Sequence, residues 1–465
     1  MIFKIEHLKI GKRKLFSFFL LIPTLFLITF LPSCQNQENG SYKDLVNNPE
    51  YYHKSLKKLT DVIVHDIFSP PVASRIYAYP NIAAYEVLVN GNSDYQSMAG
   101  QLKGLTEVPK PVVGEEISHP VASLHAFLII GKALVFSEEK IEAYQSELYE
   151  ELKNAGIPET IYDASMAYGE VVAKHILAWI NEDNYKQTRT FPKFTVNDDK
   201  GRWQPTPPDY MEGIEPHWNQ IRPFIIDSAT QFIPAKPTAF DLNKDSDFYR
   251  EMMEVYETVN QLSEEQTEIA KFWDCNPFVS HHQGHVMFAT KKITPGGHWM
   301  GITLIASRKA NLNLIETCEA YTRVSISLAD AFISCWDEKY RSNLIRPETV
   351  INQTVDEDWV PLLQTPPFPE YTSGHSVISG SAAVTLTELL GDNFAFLDST
   401  EVEYGLTARH FDSFYDASEE AALSRLYGGI HYMPAIRNGV DQGKKVGHFI
   451  AKKLVTKKLE NTSVQ

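Results

Sequence analysis

Four cysteines in 465 residues are too few for a fold stapled by disulfides. Positive charge is also short, with 43 Lys and Arg against 59 Asp and Glu and a formal net charge of -16. That deficit argues against nucleic acid as the main partner, because neutralising phosphates takes clustered Lys and Arg. The sequence has no repeat of solenoid period and no low-complexity tract, and strand-like alternation is scarce. What is present is an apolar content of 43% with 12% aromatics, ample for a core and inconsistent with wholesale disorder. The length corresponds to about three domain-sized units, or fewer for one large helical fold. An acidic surplus of this size repels small anions unless a local site overrides the average.

The longest hydrophobic run stands at the N-terminus. Lys9, Lys12, Arg13 and Lys14 precede an apolar stretch from Leu15 to Leu31, followed by Pro32, Ser33 and Cys34, which has the form of a signal peptide over residues 1–34. Ser33-Cys34 resembles the lipobox of bacterial lipoproteins, in which the cysteine is acylated and becomes the mature N-terminus. The resemblance implies an exported protein lipid-anchored through Cys34 to a bacterial membrane, facing the periplasm or the outer surface. An uncleaved membrane anchor is the alternative, since 17 residues just reach spanning length. Either reading exports the body. Residues 35–49 read as a polar tether, and Cys275, Cys318 and Cys335 remain as an odd set of thiols.

Helical periodicity dominates the body. Ser137-Glu138-Glu139 opens a helix that Gly156 stops, and Tyr168, Val172, Ile176, Trp179 and Ile180 mark the next stripe. Between Phe191 and Pro237 the composition turns to Pro, Trp, Asn and Asp, a long irregular connection of the kind that bridges bundles or carries function. Helical pattern resumes at Phe248 and continues to Lys458. The expected fold is all-α, with an N-terminal helical half at 50–237 that includes the connection, a C-terminal helical bundle at 238–458, and a tail at 459–465.

Three segments of the second half carry chemistry. In the first, a helix from about Tyr321 to Tyr340 puts Trp336 and Lys339 on one side, and Arg346-Pro347 follows on extended backbone, because proline disfavours α geometry in the residue before it. In the second, Pro366-Pro367-Phe368-Pro369-Glu370-Tyr371-Thr372-Ser373-Gly374-His375 is a stiff approach to a helix start that runs to Leu390. Ser373 and Gly374 there present a hydroxyl and a bare backbone donor at the positive dipole end, a place that suits an anion. In the third, Asp416 and Glu419 form a capping pair for a helix through Arg425, which Gly428-Gly429 break before His431, and Pro434 opens the last helix. Taken singly, each residue has a plainer reading as a surface charge, a cap or a structural histidine.

Together, Lys339 with Arg346-Pro347, then Ser373-Gly374-His375, then Ser424-Arg425 with Gly428 and His431, resemble the three-part signature of the vanadium-dependent haloperoxidases and their relatives, the type 2 phosphatidic acid phosphatases. The stretch Ala329–Lys339 and Pro367-Phe368-Pro369 look like the chloroperoxidase-type members, and the similarity covers residues 50 to 455, most strongly after Glu265. Two positions depart from the family pattern. Thr372 stands where proline is usual, which loosens a rigid turn, and Ala435 stands where an acid is frequent, which removes a partner for the histidine.

The resemblance implies a vanadate cofactor, competitive with phosphate. Lys339, Arg346, Ser373, Gly374, His375 and Arg425 would hold its oxygens and His431 would bind vanadium through a ring nitrogen. Forked guanidinium donors and a compact ammonium suit such an oxyanion. His375 would be the acid/base group for hydrogen peroxide, Lys339 would polarise the peroxide, and halide (chloride, bromide or iodide) would be oxidised to hypohalous acid or an equivalent that halogenates small organic acceptors. Trp336 and Phe368 match an aromatic pair of the halide pocket, with core packing as their plainer role. Asp274 is the candidate partner of the second arginine. His281, His282 and His285 superficially suggest a metal cluster, but no ligating acid follows at a telling spacing, and roles at the surface or behind the site fit better. An acid phosphatase acting through a phospho-histidine is the alternative function, and a non-catalytic surface-binding lipoprotein a remote one. Family members often pair, so a homodimer is an expected assembly.

Overall fold

The computed structural model describes residues 42–458 apart from residue 284. The signal-peptide and lipobox reading, with Cys34, and the tail at 459–465 lie outside the described residues. The described residues form one compact unit. Its first half contains α1 (Tyr42–Val46), α2 (Glu50–His65), α3 (Pro70–Val89), α4 (His119–Ala133), α5 (Glu138–Asn154), α6 (Glu159–Ile180) and the short α7 (Tyr185–Thr188). After the irregular connection come α8 (Asp247–Asn260), α9 (Glu264–Phe272), β1 (Val279–Gln283), β2 (Val286–Thr290), α10 (Pro295–Lys309), α11 (Leu314–Ser342) and α12 (Pro347–Thr354). The chain closes with α13 (Gly374–Leu390), β3 (Phe396–Asp398), β4 (Arg409–Phe411), α14 (Phe414–Tyr427) and α15 (Met433–Lys453). No helix among the described residues is long and apolar enough to cross a membrane.

The 29-residue α11 is the axis of the fold. Asn313 and Glu316 close a capping box at its start and Asn343 ends it in the left-handed region, the local devices that define a long helix. It packs on α3 on one side and on α13 on the other, so α3 is buried along its whole length and one apolar core runs through both halves. The connection from residue 189 to 246 has only a single 3-10 turn, Trp218–Gln220, yet it is fixed. Asp330, buried in the middle of α11, accepts the backbone N–H groups of Phe224 (2.7 Å), Ile225 (2.7 Å) and Ile226 (2.9 Å). The same connection pairs with the end of α11, where Trp203 N donates to Asn343 O at 3.0 Å and Ile345 N to Gly201 O at 3.0 Å.

Two expectations are corrected. The stretch after Phe248 is not helical throughout: β1 pairs antiparallel with β2, and β3 with β4. Val279 and Phe288, in strands of five residues each, carry a strand signal too short to stand out from helical periodicity. The cap of α14 is Ser413, whose hydroxyl accepts from Asp416 N; Asp416 lies inside the first turn and does not pair with Glu419 as a cap.

Candidate active site

The last turn of α11 delivers Lys339 into the interior, fully buried. Its Nζ donates to the carbonyls of Pro369 (3.1 Å), Glu370 (3.1 Å) and Thr372 (2.6 Å). Arg346 sits on extended backbone (φ -79°, ψ 151°) just before α12, as Pro347 requires. It is equally buried, donates through Nε to Phe368 O (2.9 Å) and through NH1 to Ile430 O (2.7 Å), and approaches His431 Nε2 at 3.2 Å. Its NH2 has no partner. Carbonyl dipoles thus surround two cations that have no directly paired carboxylate, and burial pulls Lys339 down to about 7 and Arg346 down to about 10.

Ser373 caps α13 by accepting from Ser376 N, so the start of a 17-residue helix points its Gly374 and His375 N–H groups toward the same interior. His375 Nε2 is buried without a partner. Burial, then Arg425, keep this ring well below its ordinary pKa and therefore neutral at pH 7. Arg425, in the last turn of α14, donates through NH2 to Trp273 O at 2.7 Å and lies near Ala270 O at 3.5 Å, the carbonyl end of α9. Asp274 pairs with Lys292 at 2.5 Å and reaches Arg425 through its field, rather than through the hydrogen bond expected of it.

His431 emerges from the turn between α14 and α15. Gly429 makes that turn possible, with φ +76° and no room for a Cβ, which would lie 2.9 Å from Val259. The His431 Nδ1 donates to Glu370 Oε1 at 2.8 Å, and Tyr432 N donates to the same oxygen at 3.0 Å. An oxygen that already accepts a backbone N–H fixes Nδ1 as the protonated nitrogen, so the Nε2 lone pair faces the pocket. Burial, then Arg346, hold the His431 pKa well below 6.5, and burial raises Glu370 to about 7. Glu370 was overlooked as a functional group. It replaces the acid missing at Ala435, and the available signal was an ionisable residue in a stiff Pro-rich approach three residues before the helix cap. Thr372 is not loose either: its hydroxyl donates to Gln442 Oε1 at 2.7 Å, and Gln442 Nε2 donates to Ser334 O at 3.1 Å.

A cavity of about 320 Å³ is lined by Gly374, His375, Arg425, His431, Trp336 and Phe368, among others, with Lys339 and Arg346 behind the Phe368 ring. Trp336 and Phe368 pack with ring centroids 5.0 Å apart, and Phe332 lies against Trp336 at 5.3 Å. Of the histidines in the first hairpin, His281 and His285 are not among the residues that line this pocket. His281 Nε2 bonds Thr290 Oγ1 at 3.0 Å, His285 is exposed, and the His282 side chain lies outside the described part. Three buried cations, two neutral histidines and an open helix start leave an excess of donors, and such a set calls for an anion. The unpaired Arg346 NH2 and His375 Nε2, and a His431 Nε2 lone pair that meets Arg346 NH1 at 3.2 Å and that an anion would take over, fit a tetrahedral or trigonal oxyanion with a central atom that accepts a nitrogen ligand.

A helical, oxyanion-binding protein with a histidine aimed at the central atom is the class that fold and site define. The model of the VCPO second helical-bundle domain matches residues 319–459, the part that holds all of these groups. The crystal structure of a bacterial vanadium-dependent iodoperoxidase is 54% identical over 89% of this chain and 98% of that one, with a TM-score of 0.84. Holo and apo structures of a bacterial vanadium-dependent chloroperoxidase, at 17% and 16% identity, share the fold, with TM-scores of 0.65 and 0.64 over 83% of this chain and 93% and 94% of theirs. No curated protein matches. The chain belongs to the vanadium-dependent haloperoxidase family.

Proposed function

We propose that this haloperoxidase uses vanadate to oxidise iodide with hydrogen peroxide, in preference to bromide or chloride, and passes the oxidant to small organic acceptors. The observation that carries the reading is the convergence of Arg425, His375 and His431 on one cavity, with Lys339 and Arg346 buried against its Phe368 wall at 4.9 and 5.1 Å from the ring centroid. When bound, vanadate supplies a Lewis-acidic centre that activates peroxide toward halide without a change of oxidation state. His431 Nε2 would hold that centre while Glu370 keeps the ring in its Nδ1–H form. Arg346, Arg425, Ser373 and the Gly374 N–H would hold its oxygens. His375, neutral at pH 7 and with a buried, unpartnered Nε2, would hold the proton that hydrogen peroxide gives up on binding. Lys339, its Nζ held by three backbone carbonyls, would supply positive charge beside the anion and polarise bound peroxide.

Iodide sheds its water at least cost, which suits a wall built of Trp336, Phe368 and Phe332, and the 54% identical relative is an iodoperoxidase. The test is steady-state turnover of residues 42–465 reconstituted with vanadate on iodide, bromide and chloride. Iodide turnover with little or no bromination of a dione indicator supports the preference, and equal turnover of bromide overturns it.

The body would be exported and held at the membrane by acylation of Cys34. Labelling of the full chain with a radioactive fatty acid, lost on Cys34→Ser, is the supporting result. A soluble, unlabelled native chain would refute the anchor.

A further inference from the structure

Beneath the anion pocket lies a second cluster that the halide reaction does not use. His298, in the first turns of α10, stacks on Trp273 at 4.4 Å and 16°. Its Nδ1 stands 3.4 Å from Cys275 Sγ and 3.2 Å from Glu401 Oε1, and its Nε2 lies 2.8 Å from Asp398 Oδ2. All four side chains are buried, none more than 2% exposed, and Glu401 Oε1 makes no hydrogen bond. The thiolate, imidazole and carboxylate atoms lie within 4.8 Å of one another.

We propose that Cys275, His298 and Glu401 form a binding site for a zinc ion, which adjoins the anion pocket through Cys275 but takes none of the groups assigned to the anion. Bond lengths of about 2.3 Å to sulfur and 2.0–2.1 Å to nitrogen and oxygen in a tetrahedral shell put S and N about 3.5 Å apart and N and O about 3.3 Å apart. The observed 3.4 Å and 3.2 Å match that spacing. Asp398 on Nε2 is the outer carboxylate that fixes the tautomer of a zinc-binding imidazole, freeing Nδ1 for the metal. Thr400 N, which donates to Asp398 Oδ1 at 2.9 Å, steadies that carboxylate.

Charge is conserved between the two states. Without metal, a cationic His298 faces two carboxylates and a neutral thiol. With Zn²⁺, the thiol and the imidazolium each release a proton, and the cluster keeps the same net charge. Glu401 Oε1 faces His298 Nδ1 at 3.2 Å without a hydrogen bond, a spacing that metal ligation uses. The ligands come from three separate segments, the one after α9, the start of α10 and the one after β3. Bound zinc would therefore brace the Trp273 carbonyl that receives Arg425.

The test uses tag-free full-length body without vanadate, stripped with a chelator and titrated with Co²⁺. The expected result is a thiolate-to-cobalt charge-transfer band and tetrahedral visible bands that saturate at one equivalent and bleach when zinc is added. The charge-transfer band is lost in Cys275→Ser, the cobalt affinity falls at least tenfold in Glu401→Gln, and both survive in His285→Ala. If the variants do not fold, the wild-type spectrum alone decides. Absence of the charge-transfer band at saturating cobalt, or binding that does not depend on Cys275 in a folded variant, overturns the proposal.

Discussion

Replacing Glu370 probes the pocket through a residue that need not touch the ligand. Its Oε1 accepts from His431 Nδ1 at 2.8 Å and from Tyr432 N at 3.0 Å, and the side chain is fully buried. In Glu370→Ala both donors lose their partner inside the protein, at about 1–3 kcal/mol for each, so the variant is destabilised by about 2–6 kcal/mol. The imidazole also loses the acceptor that fixes its tautomer and raises its basicity. Loss of such an outer partner typically costs about 10–100-fold in metal affinity. A Coulomb effect works against this, because removing a carboxylate makes the pocket more positive toward an anion. Glu370→Gln separates the two: its amide oxygen still accepts from Nδ1–H while the charge is gone. The assay is calorimetric titration of folded, vanadate-free protein with vanadate, with helicity checked by circular dichroism. Alanine should weaken binding about 10–100-fold and glutamine should stay nearer the native value. If both folded variants bind vanadate as tightly as the native protein, or more tightly, the hydrogen bond to His431 does not carry the affinity assigned to it.

Burial holds Lys339 down to about 7 and Glu370 up to about 7. Loss of a proton from either removes positive charge from the pocket, so vanadate affinity should fall as pH rises through 7 to 9 and be flat just below that window; a rise across it in direct binding would contradict the electrostatic account. Gly429→Ala places a Cβ on a φ +76° backbone, 2.9 Å from Val259 and 3.0 Å from Pro361; chemical denaturation should show a loss of about 1–3 kcal/mol. Asp330→Ala strips the acceptor from three buried backbone N–H groups and should cost about 3 kcal/mol or more, with faster proteolysis near Phe224 as the local sign. An unchanged denaturation midpoint would mean that the connection is held by other contacts.

The sequence disclosed the site more fully than the fold around it. His375, Arg425 and His431 line one cavity, with Arg346 against His431 and Lys339 against Phe368, because each is placed by a local signal: a helix end, an X-Pro bond, a capped helix start, a double glycine. Glu370 was hidden because a carboxylate in a Pro-rich loop has no periodicity, and its value comes from a partner 61 residues away. Asp330 was hidden in the same way, since a helical acid becomes structural only when a distant loop turns its N–H groups toward it. The short ribbons at 279–290 and 396–411 escaped because strands of three to five residues give too few alternations to stand out from a helical pattern.

The central claim, a vanadate-dependent peroxidase centred on His431, is tested most directly by one assay on the vanadate-free body and on His431→Ala, each with and without added vanadate, reading peroxide-dependent triiodide formation beside nitrophenyl phosphate hydrolysis. The account predicts triiodide from the native protein only when vanadate is present, and none from His431→Ala under either condition. Phosphate-ester hydrolysis that vanadate inhibits, with no iodide oxidation at any vanadate concentration, would contradict it.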